Sequence, residues 1–173
     1  ASGYFDLGAW QILADGLQSL KEFRLLLGAE PDVRSPHADR TSLSRMYRER
    51  EGDEMGERPD PDELWRLNLE EQPLDPEHWA LADALIEFLK RDSVDIRLLR
   101  DPFLHAKAYL FPHHSVVGSS NFTKAGLTTN AELDLVSSQQ AVARELLEWY
   151  DTFWAQANPF KDKLLQVLEQ SKY

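Results

Sequence analysis

The sequence contains no cysteine among its 173 residues, so it cannot supply a thiolate nucleophile, a disulfide, an iron–sulfur cluster or a cysteine-bound zinc site. It also lacks a hydrophobic run of the length that a membrane-spanning helix needs. Neither a signal-peptide pattern nor a methionine stands at its beginning, and we expect a fragment of a longer, cytoplasmic protein. Hydrophobic residues nevertheless make up 42% of the chain, which is enough for one folded domain with its own core.

Basic residues are in short supply, and the formal net charge is −11. Most of this excess comes from the segment Glu49–Glu77, which holds twelve acidic and three basic residues. Because the remainder of the chain is nearly neutral, a local basic patch that binds phosphate groups is not excluded. Prolines and glycines also interrupt the acidic segment. We therefore predict a long acidic insert at residues 29–75 within a single domain that spans residues 1–173.

Outside the insert, helical and strand patterns alternate along the chain. Asp6 is predicted to cap the first helix, and Pro159 suits the first turn of the last one. The predicted elements are a helix at Leu7–Leu20, a strand at Glu22–Gly28, a helix at Pro76–Arg91, strands at Val94–Leu99, Phe103–Phe111 and Ser115–Gly118, a turn or single helical turn at Asn121–Leu127, a strand at Glu132–Val136 and two amphipathic C-terminal helices. This order predicts an α/β layered fold in which helices flank a sheet.

Candidate catalytic residues are concentrated between Leu104 and Val136. His105 and Lys107 are two positions apart in a predicted strand, so their side chains should project from the same face. A neutral imidazole is a nucleophile, and a lysine ammonium binds phosphate oxygens. The pair therefore indicates a site for an anionic substrate, although a lone His-x-Lys triplet is also common on a strand surface.

A second group of polar residues follows on the next predicted strands. Gly118 allows the backbone to approach a ligand closely, and Ser119 and Asn121 can donate hydrogen bonds to an anion. Glu132 can accept a hydrogen bond from the Nδ1–H of a histidine and so fix its tautomer. A Gly-Ser-Ser-Asn run on its own is typical of an ordinary turn, and a lone strand glutamate commonly faces solvent.

Two further residues near this run are secondary candidates. Ser120 lies within the Gly-Ser-Ser-Asn run, and Lys124 follows it closely enough to contact a neighbouring phosphate. A plain surface position explains Lys124 equally well. No metal site is predicted, because His113 and His114 in the intervening turn have no matching carboxylate spacing.

The ordered combination resembles the HKD motif of the phospholipase D superfamily, in which His-x-Lys precedes Gly-Ser-x-Asn and a later acidic residue. The sequence segments HAKAYLF, VVGSSNFTKAGL and NAELDLV are similar to segments of the phospholipase D-like domains attached to bacterial Swi/Snf-type superfamily-two helicases. The resemblance covers Ser2–Gly28 and Val94–Trp154 but not the acidic insert. The sequence departs from the full motif at Pro112, where the family places an aspartate.

The resemblance implies a phospholipase D-like fold and a metal-independent phosphodiesterase or nuclease that needs no cofactor and acts on nucleic acid, with DNA as the expected substrate. It implies that His105 attacks phosphorus to form a phosphohistidine, that Lys107 and Asn121, supported by Ser119, hold the phosphate oxygens, and that Glu132 orients a histidine. Such sites contain two motifs, and this sequence has one. We therefore expect a homodimer or pairing with a second HKD half, in a helicase or restriction protein.

Two alternatives remain open from the sequence. The domain could bind nucleic acid or mediate dimerisation with little catalytic activity, which Pro112 and the acidic balance favour. It could instead cleave or make lipids, although the sequence has neither a membrane span nor a basic amphipathic helix.

Overall fold

A computed structural model describes residues 5–28, 76–102 and 104–170, with the backbone alone for residues 76–79. The predicted acidic insert at residues 29–75 lies outside the described residues. The division of the chain into one domain with an insert therefore stays a prediction.

Helices and short strands follow one another along the described residues. In chain order they are α1 (Leu7–Gln18), β1 (Phe23–Gly28), α2 (Pro76–Leu89), β2 (Val94–Leu99), β3 (Ala108–Leu110), β4 (Ser115–Gly118), α3 (Lys124–Thr128), β5 (Asp134–Ser137), α4 (Gln140–Gln156), β6 (Asn158–Pro159) and α5 (Lys161–Gln170). Across the three described ranges, no helix combines the length and the apolar character that a membrane crossing requires.

The first sheet lies between two layers of helices. It has the order β1–β2–β6, with β1 and β2 parallel and β6 antiparallel to β2. Leu25 and Ile96 are register partners on the face covered by α1, α2 and α5, where the larger apolar cluster forms. Leu26 belongs to a smaller cluster on the other face, together with Tyr150 and Trp154 of α4. This arrangement buries the sheet from both sides, as an α/β layered fold requires.

The second sheet is an antiparallel meander of β3, β4 and β5. Tyr109 pairs with Val116, and Val116 pairs with Val136, so these three side chains share one face. Ala108, Val117 and Leu135 form the corresponding row on the opposite face. The meander holds the candidate catalytic residues at the end where β4 finishes at Gly118.

The α/β class with flanking helices, predicted from the sequence, is confirmed, although the described strands divide into two small sheets. The predicted bounds of the strands Val94–Leu99 and Ser115–Gly118 are those of β2 and β4. The predicted cap is also confirmed, because the Asp6 carboxylate accepts a hydrogen bond from the Ala9 amide at 2.7 Å.

The strand predicted at Glu132–Val136 begins only at Asp134 and ends at Ser137, so Glu132 lies before it. Two further details of the prediction were wrong. The strand predicted at Phe103–Phe111 contracts to Ala108–Leu110, because β4 ends at Gly118 and provides no partner for the residues before Lys107. Pro159 does not begin the last helix, which starts at Lys161. It lies instead in β6 at the edge of the first sheet, a position that tolerates the missing proline N–H.

The Asp6 carboxylate binds backbone amides at the beginnings of two helices, so replacing Asp6 tests the described fold. Besides the Ala9 amide, its carboxylate accepts the Lys124 amide at 3.0 and 3.1 Å, just after the residue that caps α3. Replacing Asp6 with Ala should lower the free energy of unfolding by about 1–2 kcal/mol, measured by urea denaturation. The control is Asp15→Ala on the exposed side of the same helix, which should not lower it. Equal effects of the two substitutions would contradict the capping role.

Candidate active site

His105 and Lys107 lie on the segment that leads into β3. Leu104 is buried in the smaller apolar cluster, and Ala106 packs against the same cluster. His105 is exposed, whereas Lys107 is only 5% exposed. The Lys107 Nζ donates a hydrogen bond to the backbone carbonyl of His105 at 2.8 Å. The buried ammonium therefore lies against the backbone of the exposed histidine.

Gly118 lies between Lys107 and Asp134 in the meander. Its amide donates to the Lys107 carbonyl at 3.2 Å, and its Cα is the register partner of Asp134. A Cβ at Gly118 would lie 2.6 Å from the Asp134 Cα and closer still to the Asp134 carboxylate and the Leu133 carbonyl. A glycine is required here because the neighbouring strand and its carboxylate fill the space of a side chain. Lys107 and Asp134 consequently flank a position without a side chain.

Ser119 and Glu132 form a hydrogen-bonded pair beside this glycine. The Ser119 hydroxyl donates to one Glu132 oxygen and accepts from the Leu133 amide at 3.0 Å. The Asn130 side chain donates to the other Glu132 oxygen at 3.1 Å. Because a serine hydroxyl has a single proton, Ser119 can donate to a phosphate oxygen only after turning away from Glu132. The hydrogen bond predicted between Glu132 and a histidine stays a prediction.

Ser120 forms a second pair of the same kind with Asp134, a residue that the sequence reasoning missed. Ser120 is 5% exposed, and its hydroxyl donates to Asp134. Its amide also points to the Asp134 carboxylate, at 3.3 Å. In the predicted strand Glu132–Val136, Asp134 stands two residues after Glu132 and should share its face, so the spacing points to Asp134 but not to its partner Ser120.

Tyr109 ties β3 to the same turn, and it too was missed. It stands two residues after Lys107, and its hydroxyl donates to the Ser120 carbonyl at 2.9 Å. Burial raises the pKa of Tyr109 well above its usual value, and the charges of Asp134 and Glu132 add to this effect. The phenol therefore keeps its proton at neutral pH and remains a hydrogen-bond donor.

Asn121 follows Ser120 and lies where the turn enters α3. A Cβ on Gly126 would lie 2.6 Å from the Asn121 carbonyl oxygen and 2.9 Å from its amide nitrogen, so α3 packs directly on the Asn121 backbone. The side-chain Oδ1 of Asn121 is buried and has no hydrogen-bond partner among the described residues. A buried acceptor without a hydrogen bond costs free energy, and a donor that reached it would remove this cost.

The remaining sequence candidates lie apart from these contacts. Lys124 is exposed, and its amide bonds to Asp6 at the beginning of α1. Pro112 and His113 are exposed in the β3–β4 turn, at the opposite end of the hairpin from Gly118. The aspartate that Pro112 replaces would therefore not reach the Gly118 end. In the described ranges, no group of three or more histidine or acidic side chains could hold a metal ion.

The close approach at Gly118 can be tested directly. Replacing Gly118 with Ala should lower the free energy of unfolding by about 1–3 kcal/mol, because the new methyl group overlaps backbone atoms of β5. Gly16→Ala is the matched control. Its added Cβ meets nothing within 4 Å in α1, and it should raise the free energy by about 0.4–1 kcal/mol. Urea denaturation measures both, and a neutral Gly118→Ala substitution would contradict the described packing.

Part of the chain matches a known protein family. A family model described as "Cardiolipin synthase, PLD-like domain" matches residues 70–154. No curated protein matches the chain. Among solved structures, the phospholipase D family member Nuc from Salmonella typhimurium is 16% identical over 86% of this chain and 88% of its own, with a TM-score of 0.41. The family match spans every candidate residue from His105 to Glu132, and it places residues 70–154 among the phospholipase D-like domains.

Proposed function

We propose that the domain is a metal-independent phosphodiesterase that cleaves nucleic acid, with DNA as the substrate, through a covalent intermediate on His105. The observation that carries the proposal is the exposed His105 beside the buried Lys107, whose Nζ lies 2.8 Å from the His105 carbonyl, within the segment that matches the phospholipase D-like domains. An exposed imidazole can reach a polymeric substrate. A buried ammonium is favoured when it faces an anion.

The proposed reaction has two displacements at phosphorus. In the first, a ring nitrogen of His105 attacks, a P–N bond forms, the P–O bond to the leaving alcohol breaks, and a second histidine gives the alcohol its proton. In the second, water attacks the phosphorus while the second histidine takes a proton from that water, and the P–N bond breaks. Atoms and charge balance without a metal or a cofactor.

The second histidine must come from another motif. The chain has one His-x-Lys…Gly-Ser-x-Asn pattern, so we propose that two copies associate and that each provides one His105. Pairing with a second HKD half of a larger protein is the alternative. In either arrangement one imidazole begins neutral and the other protonated.

The other polar groups have roles around the phosphate. We assign Lys107 and Asn121 to the non-bridging oxygens, where they offset the negative charge that develops in the transition state. Ser119 supports this cradle and connects it to Glu132, which we assign to orienting a histidine. The buried Lys107 supports this assignment, as does the Asn121 side chain, whose amide group carries donors as well as the unpartnered oxygen. A location in the cytoplasm and attachment to a helicase or restriction protein remain predictions.

Lipid cleavage or synthesis is a second candidate, since the matching family is named after cardiolipin synthase. The proposed two-histidine reaction can cleave a phosphodiester bond of a lipid as well as one of a nucleic acid. Weak or absent catalysis in a nucleic-acid-binding module is a third candidate, supported by the carboxylates of Glu132 and Asp134 beside the proposed phosphate position.

The nucleophile is tested by replacing His105 with Ala. Hydrolysis of bis(p-nitrophenyl) phosphate in the presence of a chelator should fall by at least about a thousandfold, since the P–N bond cannot form. The urea midpoint should stay unchanged because His105 is exposed. The control is His113→Ala in the exposed turn, which should keep the wild-type rate. A His105→Ala protein that retains its rate would rule out the assignment.

Substrate class is tested by binding to single- and double-stranded DNA and to cardiolipin-containing vesicles at several salt concentrations. If two to four phosphates are neutralised, DNA affinity should fall roughly ten- to a hundredfold between about 50 and 200 mM salt. Cleavage of DNA together with this salt dependence supports the nuclease. Vesicle binding with lipid turnover and no action on DNA would favour the lipid reaction instead.

A further inference from the structure

Two consecutive serines bind two alternate carboxylates across the turn that follows β4. Ser119 donates to Glu132, and Ser120 donates to Asp134. The family pattern accounts for Ser119 and Glu132, but it leaves the second pair unassigned. Ser120 is the more buried of the two serines, because it is 5% exposed whereas Ser119 is exposed.

All the polar groups of Ser120 have partners. Its hydroxyl and its amide both point to Asp134, and its carbonyl accepts from the Tyr109 hydroxyl at 2.9 Å. That carbonyl belongs to the peptide group shared with Asn121. Fixing the Ser120 carbonyl therefore fixes the plane of the peptide from which Asn121 begins.

The position of Asp134 is also fixed by its neighbour Gly118 in β4. The missing side chain at Gly118 leaves room for its carboxylate, and β5 pairs with β4 at this position. An acidic residue on the outer strand of the described meander does not need a buried serine partner for its own solvation. Ser120, by contrast, would have a buried hydroxyl without an acceptor if the carboxylate were removed. Ser120 therefore depends on Asp134 for its buried hydrogen bond, whereas Asp134 does not depend on Ser120.

We propose that Asp134 is a positioning residue, which acts through Ser120 to hold Asn121 in the orientation that binds the transferring phosphate. This inference rests on the proposed phosphodiesterase function. Asp134 itself does not contact the substrate in this account. Its effect should appear in the chemical step, because a small displacement of a transition-state donor lowers the rate more than it weakens ground-state binding.

The experiment compares Asp134→Ala, Asp134→Asn, Ser120→Ala and the double variant Asp134→Ala/Ser120→Ala in the full chain. For bis(p-nitrophenyl) phosphate, kcat should fall roughly ten- to a hundredfold in Asp134→Ala, with KM changed by less than about threefold. Asp134→Asn should restore most of the rate, because an amide can accept from the Ser120 amide and donate to its hydroxyl. The double variant should be no worse than Asp134→Ala alone.

Ser115→Ala is the matched control. Ser115 is a buried serine of β4 at the far end of the hairpin, and its hydroxyl has no hydrogen-bond partner among the described residues. This variant should keep the wild-type kcat. Urea denaturation of every variant separates a loss of rate from a loss of folded protein.

A second readout does not depend on catalysis. The side-chain amide resonances of Asn121 in a ¹H–¹⁵N spectrum should shift in Asp134→Ala and return toward the wild-type position in Asp134→Asn. An unshifted Asn121 signal, or a wild-type kcat in folded Asp134→Ala, would overturn the proposal. If the wild-type protein cleaves no phosphodiester, the proposed function fails, while the Asn121 signals still decide whether Asp134 positions this residue.

Discussion

The candidate site depends on the close approach of β4 and β5 at Gly118. Because this position has no side chain, the Asp134 carboxylate can lie across the end of β4, on the far side of Gly118 from Lys107. The same approach brings the turn after β4 within reach of β5, where Ser119 and Ser120 find their carboxylate partners. A larger residue at position 118 would separate the strands and remove both pairs together.

The two sheets have different roles in the fold. The first is buried between α4 on one face and α1, α2 and α5 on the other, and it supplies the stable layered core. The second carries the polar residues and is joined to the core through Tyr109 and Phe122, which pack with the larger cluster. Most of the candidate polar side chains lie in short segments directly beside the ends of β3, β4 and β5.

The charge balance of the site differs from that of the chain. Glu132 and Asp134 each accept hydrogen bonds from a serine, which lowers the cost of having two carboxylates near a proposed anion site. Much of the chain's acidic excess lies outside the described residues. The overall charge of −11 is therefore a poor guide to what the site binds.

Patterns that depend on neighbouring residues were predictable from the sequence, whereas contacts that depend on strand register were not. The sequence pattern predicted the bounds of β2 and β4, and the order of the motif residues indicated the family. The strand Phe103–Phe111 was predicted too long, because its length is set by the partner strand. Asp134 and Tyr109 were missed for the same reason, since only the register shows that both meet Ser120.

The proposed reaction requires a covalent bond between His105 and phosphorus. Rapid-quench mass spectrometry of the protein during turnover of a phosphodiester measures this most directly. We expect a phosphoryl-ester adduct on the peptide that contains His105, stable in base and lost in acid. Turnover at the wild-type rate without an adduct, or with the adduct on another residue, would contradict it.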